Sequence, residues 1–215
     1  LEVLLRMRED AGLGLIPPGQ FLPTAERYAI VPDIDRWVVR NSLQWLAGLG
    51  RTAKQVRVHI NICGPAAADP QFHHYVRDLI AATGVPPKSL CFEITESTAI
   101  RSLDNAAALV DALGDLGCQF ALDDFGSGLS SFNQLRHLKV DYLKIDGSFI
   151  HNIDRDPINR AMVESINSIG KKLGKKTVAE FVENERIHRI LEEIEVDYAQ
   201  GFGLHRPEPL SNLKA

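Results

Sequence analysis

The sequence has few cysteines, no long hydrophobic run and no strong excess of either charge. Its three cysteines, Cys63, Cys91 and Cys118, form no CxxC pair and follow or lie within apolar runs. We therefore expect free, buried thiols in a reducing compartment rather than a disulfide framework. No apolar run approaches the roughly 18 residues that a transmembrane helix needs. The 24 basic and 28 acidic side chains give a formal net charge of −4, which argues against a nucleic-acid polymer as partner, because such binding normally uses a basic face.

Glycine-rich phosphate-binding signatures are also absent. The sequence contains neither GxGxxG nor a Walker A pattern, which would mark a dinucleotide or nucleotide site in an open α/β sheet. A hydrophobic fraction of 45% and a charged fraction of 24% are typical of globular domains and exclude collagen-like or disordered classes. The length of 215 residues suits one α/β barrel of roughly 200–250 residues. The chain opens at Leu1 as if within a strand, so we expect preceding sequence to be missing.

Strand-like and helix-like segments alternate along the whole chain. Short β-branched or apolar runs predict strands over residues 56–62, 90–94, 119–122, 142–145, 177–179 and 198–202, with another over 1–6. Helical periodicity with capping signals predicts helices over residues 32–49, 70–83, 102–116, 157–173 and 184–193. This order predicts βα units around a mostly parallel sheet, in a single domain over residues 1–215.

Polar side chains follow or end nearly every predicted strand. In chain order they are Glu2, Asn61, Glu93, Asp123, Asp124, Lys144, Asp146, Glu180 and Gln200. Closed α/β barrels collect single functional residues from many strands at this face, whereas an open doubly wound sheet concentrates function at one switch point. The distribution therefore favours a barrel.

The acidic members of this set indicate a metal site if they converge. Two unit charges 4 Å apart repel by about 4 kcal/mol at an effective dielectric of about 20, so such a cluster must protonate or bind cations. Oxygen ligands without His or Cys favour Mg²⁺, Mn²⁺ or Ca²⁺, and adjacent Asp123 and Asp124 would let one carboxylate bridge two ions. Taken alone, each strand-end Glu also fits a surface group, and Asp123-Asp124 also fits turn chemistry. Lys144 lies between two apolar residues of a strand and needs a charged partner.

The ordered motifs resemble the EAL family, the cyclic di-GMP-specific phosphodiesterases of bacterial signalling. The resemblance spans essentially the whole chain and is carried by Glu2-Val3-Leu4, Asn61, Phe92-Glu93-Ile94-Thr95-Glu96, Ala121-Leu122-Asp123-Asp124-Phe125-Gly126, Leu143-Lys144-Ile145-Asp146, Ala179-Glu180-Phe181-Val182-Glu183 and Ala199-Gln200-Gly201-Phe202. It implies a TIM-like (β/α)8 barrel with one antiparallel strand, whose leading helix and strand would precede Leu1.

The resemblance also implies roles for individual residues. One metal ion would be held by Glu2, Asn61, Glu93 and Asp123, and a second by Asp123, Asp124 and Glu180. Lys144, with Asp146 in support, would position or polarise the attacking water, and Glu96 would steady the loop after Asp124. Glu183 and Gln200 are implied as further active-site positions and Arg6 as a contact to substrate phosphate.

The implied reaction is hydrolysis of one phosphodiester of cyclic di-GMP, which gives linear pGpG. The family uses Mg²⁺ or Mn²⁺, two ions per site, and is inhibited by Ca²⁺. The resemblance further implies a cytoplasmic domain, behind a sensory or GGDEF module in the full-length protein, that forms homodimers in some members.

The sequence departs from the family pattern at a few places and leaves two alternatives open. Val3 replaces Ala, Phe181 replaces Gly beside the second metal position, and Ser127 and Leu129 replace Thr and Tyr. The first alternative is a cyclic di-GMP receptor of the same fold without turnover. The second is an unrelated barrel enzyme in which Lys144 acts as a base on a small acid.

Overall fold

The computed structural model describes residues 1–9, 14–128 and 138–213. Six of the strands in these ranges form one sheet, and every pairing between neighbours in it is parallel. In sheet order they are β3 (Val58–Asn61), β4 (Leu90–Thr95), β5 (Gln119–Phe125), β6 (Tyr142–Ile145), β7 (Lys176–Ala179) and β8 (Tyr198–Ala199). Sheet order equals chain order, as in a barrel built from successive βα units.

Helices precede β3 and connect the later strands, except between β5 and β6, where residues 129–137 lie outside the described ranges. They are α1 (Pro18–Arg27), α2 (Val31–Gly48), α3 (Gly64–Ala67), α4 (Pro70–Thr83), α5 (Glu96–Arg101), α6 (Leu103–Gly114), α7 (Gly147–Ile150), α8 (Pro157–Lys172) and α9 (Glu185–Ile194). Helix α4 shows the local rules clearly: Asp69 accepts a hydrogen bond from the Gln71 amide at its start, and Gly84 ends it with a left-handed φ of 67°. None of the helices in the described ranges is both long and apolar enough to cross a bilayer.

The two ends of the sheet meet. Glu2 forms a parallel bridge with His59 of β3, so the first segment lies beside the first strand. At the other end, Gln200 follows β8, and its Nε2 donates to Glu2 Oε2 at 2.5 Å. The sheet is therefore curled into a TIM-like barrel, which confirms the predicted fold class. Among the described residues, antiparallel pairing occurs only between β1 (Met7–Arg8) and β2 (Leu15–Ile16).

The hydrophobic core lies between the sheet and the helices. It includes the fully buried rings of Phe72, Phe92, Phe120 and Phe125. A second, smaller cluster on the inner face of the barrel comprises Cys91, Ala121, Tyr142 and Val178. Because side chains two residues apart on a strand share a face, this inner cluster lies directly below Glu93 and Lys144.

Several predicted elements are corrected by the structure. The strand predicted over residues 1–6 is only the single bridge at Glu2, and the strand predicted over 198–202 ends at Ala199. The helix predicted over 102–116 is α6, which ends two residues earlier at Gly114. Helix α1 lacks a sequence prediction because Pro18, Gly19 and Pro23 obscure its periodicity.

Candidate active site

The polar strand-end side chains come together at the carboxyl end of the barrel. Asn61 ends β3, Glu93 and Asp123 lie in β4 and β5, and Lys144 lies in β6. Glu180 and Gln200 follow β7 and β8 directly. Parallel strands of a barrel bring such positions to one rim, and the contacts below place these side chains with Glu2 in one cluster.

Lys144 lies at the centre of this cluster and is only 1% exposed. Its Nζ donates to Glu93 Oε2 at 2.7 Å and lies 2.9 Å from Glu180 Oε1. Asp123 Oδ1 and Glu2 Oε2 are 3.2 and 3.5 Å from the same nitrogen. Burial alone would lower the pKa of Lys144, but the four carboxylates raise it above its usual range. Lys144 is therefore an ammonium ion at neutral pH.

A bulge in β5 brings two consecutive aspartates to the same rim. Adjacent residues of a regular strand point to opposite faces, but the pairing of β5 with β6 shifts register between Leu122 and Phe125. Within this interval Asp124 has a left-handed φ of 54°. The irregularity re-aims the Asp124 side chain, and its carboxylate lies near that of Asp123.

Asp123, Asp124 and Glu180 fit a divalent cation. One carboxylate oxygen from each lies within 4.8 Å of the others, and an all-oxygen donor set suits a hard ion. Burial raises the pKa of Asp124, and the nearby Asp123 and Asp146 raise it further. A cation bound among these carboxylates would relieve this repulsion.

Glu2 is held from two sides by amide side chains. Asn61 Nδ2 donates to Glu2 Oε1 at 3.1 Å, and Gln200 Nε2 donates to both Glu2 and Glu180, the latter at 2.9 Å. Burial alone would raise the pKa of Glu2, but Lys144 and these two amides lower it. Glu2 is therefore a fixed carboxylate, oriented toward Lys144.

Glu96 lies behind the loop that follows β5. It is buried, and its Oε2 accepts hydrogen bonds from the Gly126 and Gly128 amides at 3.0 and 3.4 Å. A β-carbon at Gly128 would collide with the Glu96 carboxylate, so glycine permits this close approach. Leu129, the next departure from the family pattern, lies outside the described residues.

Asp146, Glu183 and Arg6 lie away from the centre of the cluster. Asp146 accepts from the Ser148 amide at 2.8 Å and caps α7. Glu183 is 3.4 Å from His151 Nδ1, and Arg6 donates to the Leu5 carbonyl at 2.8 Å. In the part of the chain that the structure describes, these three residues form no ion pair or hydrogen bond with Lys144.

Phe181, the substitution beside Glu180, has an unusual backbone. Its φ is 55° and its side chain remains 63% exposed at the rim. The ring lies against Gly147, where an added β-carbon would strike it. Left-handed φ values favour glycine and are strained for bulky residues, so this aromatic ring next to Glu180 is held at a conformational cost.

The sequence did not predict the contact that His59 makes with Glu93. His59 Nδ1 lies 2.7 Å from Glu93 Oε1, on the side of Glu93 opposite the oxygen bound by Lys144. The available signal was strand alternation: His59 and Asn61 are two residues apart in β3 and share the inner face.

Comparisons with known proteins find relatives in sequence and in structure over nearly the whole chain. A family model described as EAL domain matches residues 1–207. Cyclic di-GMP phosphodiesterase PdeB of Shewanella oneidensis is 39% identical over 99% of this chain, and the bifunctional diguanylate cyclase/cyclic di-GMP phosphodiesterase MucR of Pseudomonas aeruginosa is 36% identical over all of it. The chain spans only 25% and 31% of those two proteins. Among solved structures, the FimX EAL domain from Pseudomonas aeruginosa bound to c-di-GMP gives a TM-score of 0.90 at 32% identity, covering 96% of this chain and 83% of that one.

Proposed function

Because this chain belongs to the EAL domain family, we propose that it hydrolyses one phosphodiester of cyclic di-GMP to give linear pGpG, with Mg²⁺ or Mn²⁺ as cofactor. The observation that carries the proposal is the convergence of Asp123, Asp124 and Glu180 beside the buried Lys144. The cyclic di-GMP phosphodiesterases to which the chain is similar support the substrate.

Charge balance supports the need for cations. Four carboxylates, Glu2, Glu93, Asp123 and Glu180, surround the Lys144 ammonium, and Asp124 lies beside Asp123 and Glu180. With all five carboxylates ionised, four formal negative charges remain. A phosphodiester is itself an anion and would be repelled by such a site. Two divalent cations would offset the four charges and make the site attractive to phosphate.

The proposed division of ligands is the one that the family resemblance implies, and the Asp123–Asp124–Glu180 group supports its second half. Glu2, Asn61, Glu93 and Asp123 would hold one ion, and Asp123, Asp124 and Glu180 the other, with Asp123 shared. When bound, the pair of ions activates water and neutralises the charge that develops on the phosphate. Gln200 keeps Glu2 and Glu180 in place through its amide.

Lys144 acts as a hydrogen-bond donor in this proposal. In the metal-free chain its raised pKa keeps the proton on Nζ, and an ammonium suits orientation and polarisation of the attacking water. The same property argues against the alternative barrel enzyme in which Lys144 is a general base, since a base must be deprotonated at the working pH. Asp146, the N-cap of α7, would support Lys144 in this role, and Glu183 and Arg6 would contact substrate at the outer rim.

The context of the domain belongs to the same proposal. The similarity to MucR, which spans only part of that protein, supports a longer protein in which this domain is joined to a GGDEF or sensory module. We place the domain in the cytoplasm, where cyclic di-GMP is the expected partner, and expect a homodimer. Size-exclusion chromatography coupled to light scattering tests the last point.

Hydrolysis is tested by incubating the chain with cyclic di-GMP and Mg²⁺ or Mn²⁺ and separating pGpG by chromatography. We expect turnover with either ion and inhibition by Ca²⁺. Asp123→Asn should reduce turnover at least 100-fold, because it removes the charge of the shared ligand. Glu192→Gln, a matched carboxylate-to-amide change at an exposed position of α9, should leave the rate unchanged.

Two results would contradict the proposal. Full activity of Asp123→Asn would show that this carboxylate is no metal ligand. Binding of cyclic di-GMP without turnover in the presence of either ion would favour the receptor alternative.

A further inference from the structure

We propose that His59 is a positioning residue for metal binding, which fixes the Glu93 carboxylate through its imidazole N–H. The inference rests on the proposed function, because it treats Glu93 as a metal ligand. His59 itself touches neither Lys144 nor the Asp123–Asp124–Glu180 cluster by any hydrogen bond or ion pair found in the described ranges.

The two oxygens of Glu93 have separate partners. His59 Nδ1 lies 2.7 Å from Oε1, and Lys144 Nζ lies 2.7 Å from Oε2. An ionised carboxylate only accepts hydrogen bonds, so Nδ1 is the donor. The Glu93 side chain has no exposed surface, so these two donors determine the plane of its carboxylate. Each oxygen keeps a second lone pair with which it can bind a cation.

His59 is itself rigidly held. Its backbone N–H donates to Leu1 O at 2.8 Å, and its carbonyl accepts from Val3 N at 2.9 Å. The imidazole packs edge-on against Tyr142 with ring centroids 5.4 Å apart, and the Tyr142 hydroxyl is in turn hydrogen-bonded by Arg57. A rigid donor costs little conformational entropy to position.

This arrangement makes His59 the link between two proposed ligands of one ion. Its main chain holds the segment that carries Glu2, and its side chain holds Glu93. Partners that hydrogen-bond metal ligands typically contribute 10–100-fold to metal affinity. The side-chain contribution is specific to the imidazole donor, because any residue at position 59 supplies the same backbone groups.

The test is a titration of the purified chain with Mn²⁺ alone. Calorimetry and the electron paramagnetic resonance signal of the free ion measure the affinity for Mn²⁺. His59→Leu removes the donor and should weaken Mn²⁺ binding about 10–100-fold. His59→Asn places an amide N–H near the position of Nδ1 and should bind Mn²⁺ within about threefold of the original chain. His74→Leu makes the same histidine-to-leucine change at an exposed position of α4 and should bind Mn²⁺ normally.

The outcomes separate this inference from the proposed function. Unchanged Mn²⁺ affinity in His59→Leu, or equal losses in His59→Leu and His59→Asn, would overturn the positioning role. Rescue by His59→Asn supports it even if cyclic di-GMP is not hydrolysed, because Mn²⁺ binding is read without turnover. In the active chain, His59→Leu should need more Mn²⁺ for half-maximal rate while KM for cyclic di-GMP stays unchanged.

Discussion

Two residues at the acidic cluster, one of them a member of it, have left-handed backbone angles. Asp124 has a φ of 54° and Phe181 a φ of 55°, and they follow Asp123 and Glu180 directly. Aspartate tolerates this region comparatively well, whereas a bulky side chain does so at a cost of roughly 1–2 kcal/mol. Strain of this kind concentrates at functional sites. Here it sets the directions of the Asp124 and Phe181 side chains relative to those of Asp123 and Glu180.

Phe181→Gly tests the conformational cost of the left-handed φ at position 181. Glycine adopts this φ freely, and the lost ring is mostly exposed, so relief of strain should outweigh the greater entropy of the unfolded chain. We expect the free energy of unfolding to rise by up to about 1 kcal/mol, measured by urea denaturation with the equilibrium m-value unchanged.

The neighbouring Val182→Gly is the contrasting variant. Val182 is fully buried, so its loss should lower the free energy of unfolding by roughly 2–3 kcal/mol. Equal destabilisation by both substitutions would show that the Phe181 conformation carries no strain.

The sequence indicated the rim residues but not all of their geometry. Glu93, Asp123 and Lys144 were identifiable because the carboxyl ends of parallel strands meet. The position of Asp124 depends on a bulge, which a period-two pattern does not reveal. The His59–Glu93 contact spans 34 positions and requires the register of β3 and β4, which local patterns do not specify.

At the scale of elements, the stability of α9 depends on the residue that precedes it. Asn184 Oδ1 accepts hydrogen bonds from the Arg186 and Ile187 amides, both at 3.0 Å, so Asn184 is the N-cap of this helix. Asn184→Ala should lower the free energy of unfolding by about 1 kcal/mol, since the amides lose their acceptor. Asn184→Asp keeps the acceptor and should be close to neutral by thermal denaturation; a loss matching that of Ala would exclude capping as the cause.

The stability that Asp197 contributes at the junction of β7 and β8 should depend on pH. Asp197 is 17% exposed and accepts from Lys176 Nζ at 2.6 Å and the Thr177 amide at 3.0 Å. Burial alone would raise the pKa of Asp197, but these hydrogen bonds lower it below the usual value. The stabilisation is therefore complete above the unfolded-state pKa, about 3.9, and is lost as the pH falls through the folded-state pKa.

The measurement compares the original chain with Asp197→Asn. The difference in free energy of unfolding between the two proteins should be largest near pH 6 and should shrink below about pH 4. A difference that stays constant down to pH 2.5 would mean that the charge of Asp197 does not contribute.

Element boundaries were predictable where stop signals coincide with the end of the hydrophobic pattern. The segments over 70–83 and 142–145 were predicted to the residue, the first because Pro70 and Gly84 frame it. Helix α6 ends at Gly114 rather than near Gly117, and three turn residues lie between its end and Cys118. Helix α1 escaped prediction because Pro23 lies inside it.

For the whole molecule, Lys144 connects much of the barrel wall. Its ion pairs join β6 to β4, to β5, to the residue after β7 and to the segment that bridges β3. Lys144→Met keeps the length of the side chain but leaves these buried carboxylates without a counter-charge. We expect the metal-free chain to lose about 3–5 kcal/mol of unfolding free energy, and Mn²⁺ to restore part of it.

Lys139→Met is the matched control. Lys139 forms an ion pair with one carboxylate, that of Asp111, and its side chain is 81% exposed. Loss of its charge should therefore change the free energy of unfolding little. Similar losses in the two variants, or a Lys144→Met protein insensitive to Mn²⁺, would contradict the role assigned to the central ammonium.

Under the proposed function, Lys144 also allows the chain to fold before it binds metal ions. Small zinc domains remain unfolded until their ion arrives, because nothing else offsets the charge of the ligands. Here a covalently attached cation already occupies the middle of the carboxylates, so the barrel can be completed first and loaded afterwards. Under the proposed function, chelators should therefore stop turnover without unfolding the chain, and free ions alone should restore turnover.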